Sequence, residues 1–215
     1  MSQTDRLALI DWIKALASQL IVWHHLAFYG PMSDTVWPHA PALMDWLYSY
    51  ARIAVQAFLV AGGFLAARSL ERSTVALPRL LGRRYLRLIR PYLAALVCAV
   101  AAGWLARSIC AHADVPPPPL PAQLAAHVVL LQDVLGLGSV SAGMWYVAID
   151  FQLFALLALI VRGARSRAWL PCALLGSASL FYFNRRPDLD VWAVYFFGSY
   201  SLGVLVAWLP QGARR

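Results

Sequence analysis

Apolar residues run almost unbroken through most of this chain, so the length of each run is more informative than any periodicity within it. A helix needs roughly 20 apolar residues to cross the hydrocarbon core of a bilayer. Windows of about that length fall at residues 7–29, 46–67, 91–110, 143–161, 168–183 and 191–209, the fifth being short. Because most positions are apolar, neither a helical nor an alternating period separates inward from outward faces. Backbone groups inside a bilayer must be satisfied within their own segment, so these runs predict helices. The expected fold is all-α: a polytopic transmembrane helical bundle of about six spans, forming a single membrane domain over residues 1–215.

Two stretches do not fit the spanning pattern. Residues 111–122 include Pro116 to Pro119 and read as a stiff extended connection. Residues 123–140 are apolar but hold His127, Gln132 and Asp133, with Gly136 and Gly138 near the end. A re-entrant or interfacial helix is preferred there. If it does not cross, Arg162, Arg165, Arg167, Arg214 and Arg215 all share one side with the arginine run, as the positive-inside rule requires. Both termini are then cytoplasmic. Gly30 and Pro31 end the first span, and the loop after it, to Asp45, has no Lys or Arg and reads as extracytoplasmic.

Composition agrees with this. Hydrophobic residues make up 61% of the chain and charged residues only 13%, which excludes an ordinary soluble domain. The net charge is +8, yet only Lys14 is a lysine, and seven arginines lie between Arg68 and Arg90. That concentration is a topology signal, and with no recognition motif beside it nucleic-acid binding is excluded. Cys98, Cys110 and Cys172 show no CxxC pair or metal spacing and read as packing residues. His39, His112 and His127 lack the spacing of a helical metal site, so no metal is expected.

The candidate chemistry begins in the first span, where Asp11, Lys14, Ser18, His24 and His25 interrupt the apolar run. Lys14 and His25 differ by about 20° around a helix and about 16 Å along it, so they share one stripe, with Asp11 and Ser18 nearby and His24 turned about 80° away. Ionisable residues inside a membrane face protein or water and mark function by default. A neutral His can take a proton from a hydroxyl, and Lys14 can bind an anionic group. The competing reading is that Asp11 and Lys14 neutralise each other at one interface while His25 sits at the other. Topology and lipid contact explain most of the arginines, while Arg84 and Arg87, i,i+3 neighbours, are the first candidates to bind phosphates. Asp150, in MWYVAIDFQ behind Trp145 and Tyr146, is either an acid/base group or the partner of an arginine on another helix.

Four motifs in order resemble the membrane acyltransferase-3 family: Lys14 and His25 with ten residues between them and Asp11 ahead; FLVAGGFL from Phe58 to Leu65; Arg84 and Arg87 before Pro91; and Trp145 five residues before Asp150. Gly62 stands where that family has a serine, Arg90 where a first proline is common, and Asp150 where it usually has glutamate. The resemblance covers about residues 5–155. It implies an O-acyltransferase of the cytoplasmic (inner) membrane that moves an acyl group, typically acetyl, from cytoplasmic acyl-CoA to a hydroxyl of an extracytoplasmic glycan or glycolipid. It further implies His25 as base or acyl relay, Lys14 assisting at the donor side, Arg84 and Arg87 holding the donor's phosphates, and Asp150 orienting or pairing with a cation. The family's members have more spans than are counted here, so the expectation is a domain lacking C-terminal spans. A non-catalytic carrier, a scaffold or an inactive fragment is the alternative. A carrier would show repeated halves, and none is seen.

Overall fold

The computed structural model describes residues 3–29, 32–71, 73–109 and 115–209, with side chains from residue 8 onward. Gly30, Pro31, Cys110, His112, Arg214 and Arg215 lie outside the described residues. Among the described residues every regular element is helical: α1 Gln3–Phe28, α2 Met32–Val36, α3 Pro41–Tyr50, α4 Ala54–Glu71, α5 Leu77–Ile109, α6 Pro121–Val128, α7 Met144–Ala164, α8 Trp169–Phe181 and α9 Ala193–Trp208. Residues 41–71, 77–109 and 144–167 are helical stretches long and apolar enough to cross a membrane, and α9 is a shorter apolar helix.

Several boundaries differ from the sequence expectation. The second window splits, because a 3-10 turn at Ala51–Ile53 separates α3 from α4. The third begins much earlier than Pro91: α5 starts at Leu77 and carries Pro91 in its interior. Proline lacks the N–H that would bond the carbonyl one turn back, but the turns on both sides stay helical. Arg79, Arg83, Arg84, Arg87 and Arg90 are therefore all on α5.

Residues 123–140 contain only the last six residues of the eight-residue α6 and a series of turns. At about 12 Å that helix is too short to cross a bilayer. It is fastened along α5 instead. The Tyr85 hydroxyl donates to the Val128 carbonyl at 2.6 Å, and Tyr92 Oη is 2.6 Å from His127 Nδ1. The Val140 N–H donates to His127 Nε2, so a neutral His127 carries its proton on Nδ1 and donates it to Tyr92. His127 is fully buried, a pin between α5 and this segment.

The core is centred on α9, whose Phe197, Tyr200 and Val204 are buried against Leu59 of α4, Leu153 and Leu157 of α7, and Cys172 of α8. In a bilayer the surrounding lipid is as apolar as leucine, so helices gain by close van der Waals approach. Glycines provide it: a Cβ at Gly63 would collide with the Tyr200 carbonyl, and one at Gly203 with the Val60 carbonyl. Here α4 and α9 touch backbone to backbone. Gly203→Ala is expected to destabilise the protein by about 1–3 kcal/mol, because neither backbone can yield as a flexible side chain would. A detergent-solubilised thermal melt measures it, and an unchanged midpoint would refute the close contact.

Candidate active site

The arginine-rich end of the bundle holds the end of α4, the start of α5 and the end of α7, where the Arg162 guanidinium donates to the Val75 carbonyl. His25, Arg52 and the start of α7 lie toward the opposite end. A cavity opens at each. The one at the arginine-rich end, about 950 Å³, is lined by Lys14, Arg83, Arg84, Arg87 and Asp150 together with Gly62 and Phe154. The one at the far end, about 780 Å³, is lined by His24, His25, Arg52, Gln56, Asp133 and Gln152 among others. Phe58 of α4 and Tyr146 of α7 are the two described residues that line both.

At the arginine-rich end, Arg84 Nη2 donates to Asp150 Oδ2 at 2.6 Å, so Asp150 is the partner of an arginine on another helix. Asp150 is buried, and the Arg84 guanidinium also lies 5.0 Å from the centroid of the Phe154 ring. Arg84 Nε is buried without a hydrogen-bond partner. Arg83 and Arg87 are exposed on the cavity wall with Lys14. Four cations against one carboxylate make this wall suited to an anionic ligand, Arg84 being already committed to Asp150.

Asp11 is exposed and lines neither cavity, and no ion pair joins it to Lys14 among the described residues. Ser18 turns back to donate to the Ala15 carbonyl of its own helix. Of the polar stripe on α1, the structure thus brings only Lys14 and His25 to cavity walls, one at each end.

In the far cavity the two histidines differ. His24 is buried and its Nδ1 lies 2.9 Å from the Leu47 carbonyl of α3, an acceptor, so Nδ1 carries the proton. His25 is half-buried, and among the described residues nothing hydrogen-bonds either of its ring nitrogens. Asp133 lines the same cavity, held by the Ser139 hydroxyl and the Gln132 amide; burial raises its carboxyl pKa while those hydrogen bonds pull it down. Arg52 adds a cation to this wall, which therefore presents a bare imidazole, a guanidinium and several amides to whatever enters. Trp145 and Tyr146 are within the bundle: Trp145 stacks on Phe196 at 5.4 Å and meets Tyr146 edge-on at 6.0 Å.

Residues 7–208 match the family model of the acyltransferase-3 domain, described as an acyltransferase domain. The chain belongs to the acyltransferase-3 family. No curated protein and no solved structure matches it. The match extends the resemblance, drawn from about residues 5–155, through α8 and α9. With its apolar helices, this makes the protein a membrane acyltransferase. Of the motifs, the acyltransferase places Lys14, Arg84, Arg87, Asp150 and Gly62 at one cavity and His25 and Trp145 at the other. His24 was read in the sequence only as turned away from the stripe, and Arg52 and the roles of Phe58 and Tyr146 were not singled out. His24 carried a signal, as a second ionisable group in an apolar run. Phe58 stood out only as the first residue of FLVAGGFL, and nothing in that motif marked it as lining both cavities. Among the described residues no cluster of three His, Cys, Asp or Glu side chains is placed to hold a metal ion.

Proposed function

We propose that this acyltransferase takes an acyl group, typically acetyl, from cytoplasmic acyl-CoA to a hydroxyl of an extracytoplasmic glycan or glycolipid. The observation that carries the proposal is the pair of cavities joined back to back, cationic at one end and histidine-lined at the other. Arg87, Arg83 and Lys14 hold the donor's phosphates as point charges and forks on one wall. Arg84, held by Asp150, fixes α5 against α7 and contributes its charge more than its donors. The arginine concentration makes that end cytoplasmic, with six spans, both termini inside and the inner membrane as location.

In the far cavity His25 accepts the proton of an acceptor hydroxyl, whose oxygen then attacks the thioester carbonyl. A C–O bond forms, the C–S bond breaks, and the proton passes from His25 to the departing thiolate sulfur. Lys14 and His25 are about 16 Å apart along α1, so the pantetheine arm must reach into the bundle while its phosphates stay at the mouth. Arg52 and Asp133 border the place the acceptor occupies.

Membranes containing the protein, supplied with acyl-labelled acetyl-CoA on the arginine-rich side, test the reading. Label is expected in an alkali-labile ester of the extracytoplasmic glycan fraction. No ester above that of membranes without the protein would overturn it, and flux of label without ester would assign the ionisable track to a carrier.

A further inference from the structure

The two cavities meet at one place. Phe58 and Tyr146 line both, their ring centroids 6.0 Å apart and their planes inclined by 56°. Rings at that separation are in contact, so the pair stands between the cationic wall and the cavity that His25 lines. The two leaves are held unequally. Tyr146 is backed by Trp145, itself stacked on Phe196. Phe58 is half-buried, and the only ring packed against it among the described residues is that of Tyr146.

One helical turn along α4 from Phe58, on the arginine-rich side, the wall is bare backbone at Gly62. The nearest atoms to a Cβ there would be the Tyr200 ring at 3.6 Å and Asp150 Oδ1 at 3.9 Å, ordinary contacts, so the missing side chain leaves usable space. An acyl chain coming from the arginine-rich end would lie along Gly62 and meet Phe58 first.

We propose that Phe58 and Tyr146 determine which acyl chains are transferred, with Phe58 as the moving leaf and short chains such as acetyl as the class admitted. This rests on the donor-to-acceptor reading above. The tail of a thioester enters ahead of its carbonyl, so a chain must clear the rings before the carbonyl reaches His25. A two-carbon acyl group needs one swing of the Phe58 ring; a long chain must hold the leaf open along its length and then occupies the space of the acceptor hydroxyl. Tyr146, clamped by Trp145, fixes the opposite edge.

The test has two arms. In the first, membranes with wild-type protein, Phe58→Ala or Phe58→Trp receive acetyl-, butyryl- and octanoyl-CoA. The octanoyl-to-acetyl ratio is expected to rise roughly tenfold or more in Phe58→Ala, and Phe58→Trp is expected to lower the butyryl-to-acetyl ratio, since a change of pocket volume by a few methylenes is worth that much discrimination. Ratios unchanged in both variants would overturn the proposal. The second arm needs no transfer. Gln56→Cys puts a thiol in the far cavity, and a membrane-impermeant sulfonatoethyl thiosulfonate is added from the arginine-rich side, with the protein lacking that thiol as control. Labelling is expected when Phe58→Ala is also present and not with Phe58 intact; equal labelling would overturn the partition. Should no variant transfer any acyl group, the labelling still decides the partition while the acyl-CoA reading fails separately.

Discussion

Alanine at position 25 is expected to lower acyl transfer by about 10²–10⁴-fold with the protein still folded, the loss typical of removing a positioned general base. The expectation rests on what His25 does not do in the structure. It lines the far cavity, is half-buried, and among the described residues holds no hydrogen bond that the fold would miss. His24 beside it is the internal control. Its Nδ1 ties α1 to the Leu47 carbonyl of α3, so His24→Ala removes a buried hydrogen bond between two helices and should lower stability by about 1 kcal/mol. Labelled-ester formation at saturating donor, paired with a thermal melt for each variant, separates the two. Undiminished transfer by His25→Ala would remove it from the chemistry.

The all-helical architecture and the clustering of arginines were legible in the sequence because the bilayer acts on composition alone, whereas three helical stretches among the described residues, against six apolar windows, are long and apolar enough to cross. Residues 123–140 were read as non-spanning on charge grounds, and the last six residues of α6 followed by turns agree with that reading. Boundaries were less legible where two signals conflict. Pro91 suggested a helix start, but the cationic turns before it continue the same helix, so α5 begins at Leu77. The stripe linking Lys14 to His25 was visible as an angle and a rise, and both residues do reach cavity walls. Asp11 failed to join them: it lies about 60° from Lys14 around the helix, enough to keep it off both cavity walls. The partner of Asp150 could not be named from sequence, because pairing Arg84 with Asp150 requires knowing how α5 lies on α7. Phe58 and Tyr146 were opaque for the opposite reason, since an aromatic that stands between two cavities has the same composition as one that fills a core.

Removing the carboxylate at position 150 is expected to be among the most damaging substitutions in the chain. Asp150→Ala leaves Arg84 as a charge without its counter-ion, at side-chain exposures of 23% for Arg84 and 11% for Asp150, and breaking such a pair from one side costs about 3–5 kcal/mol. The effect reaches beyond the pair. The membrane-length stretch of α5 is the least buried of the three such stretches, and the ion pair is one of its ties to α7. Loosening it moves Arg83 and Arg87, so the KM for acyl-CoA should rise although Asp150 need not touch the donor. Relieving the stranded charge separates the two consequences. The double variant Arg84→Met, Asp150→Leu should recover stability to within about 1 kcal/mol of the parent, because an apolar pair of similar bulk carries no desolvation cost. Its KM should stay high, since a cation is gone from the donor wall. Asp150→Glu should be tolerated: the space beside Gly62 lies 3.9 Å from Asp150 Oδ1 and can accept an added methylene. Thermal melts and donor saturation curves on these variants check each step. An Asp150→Ala protein as stable as its parent would show that Arg84 finds another counter-ion and that α5 is held by packing alone.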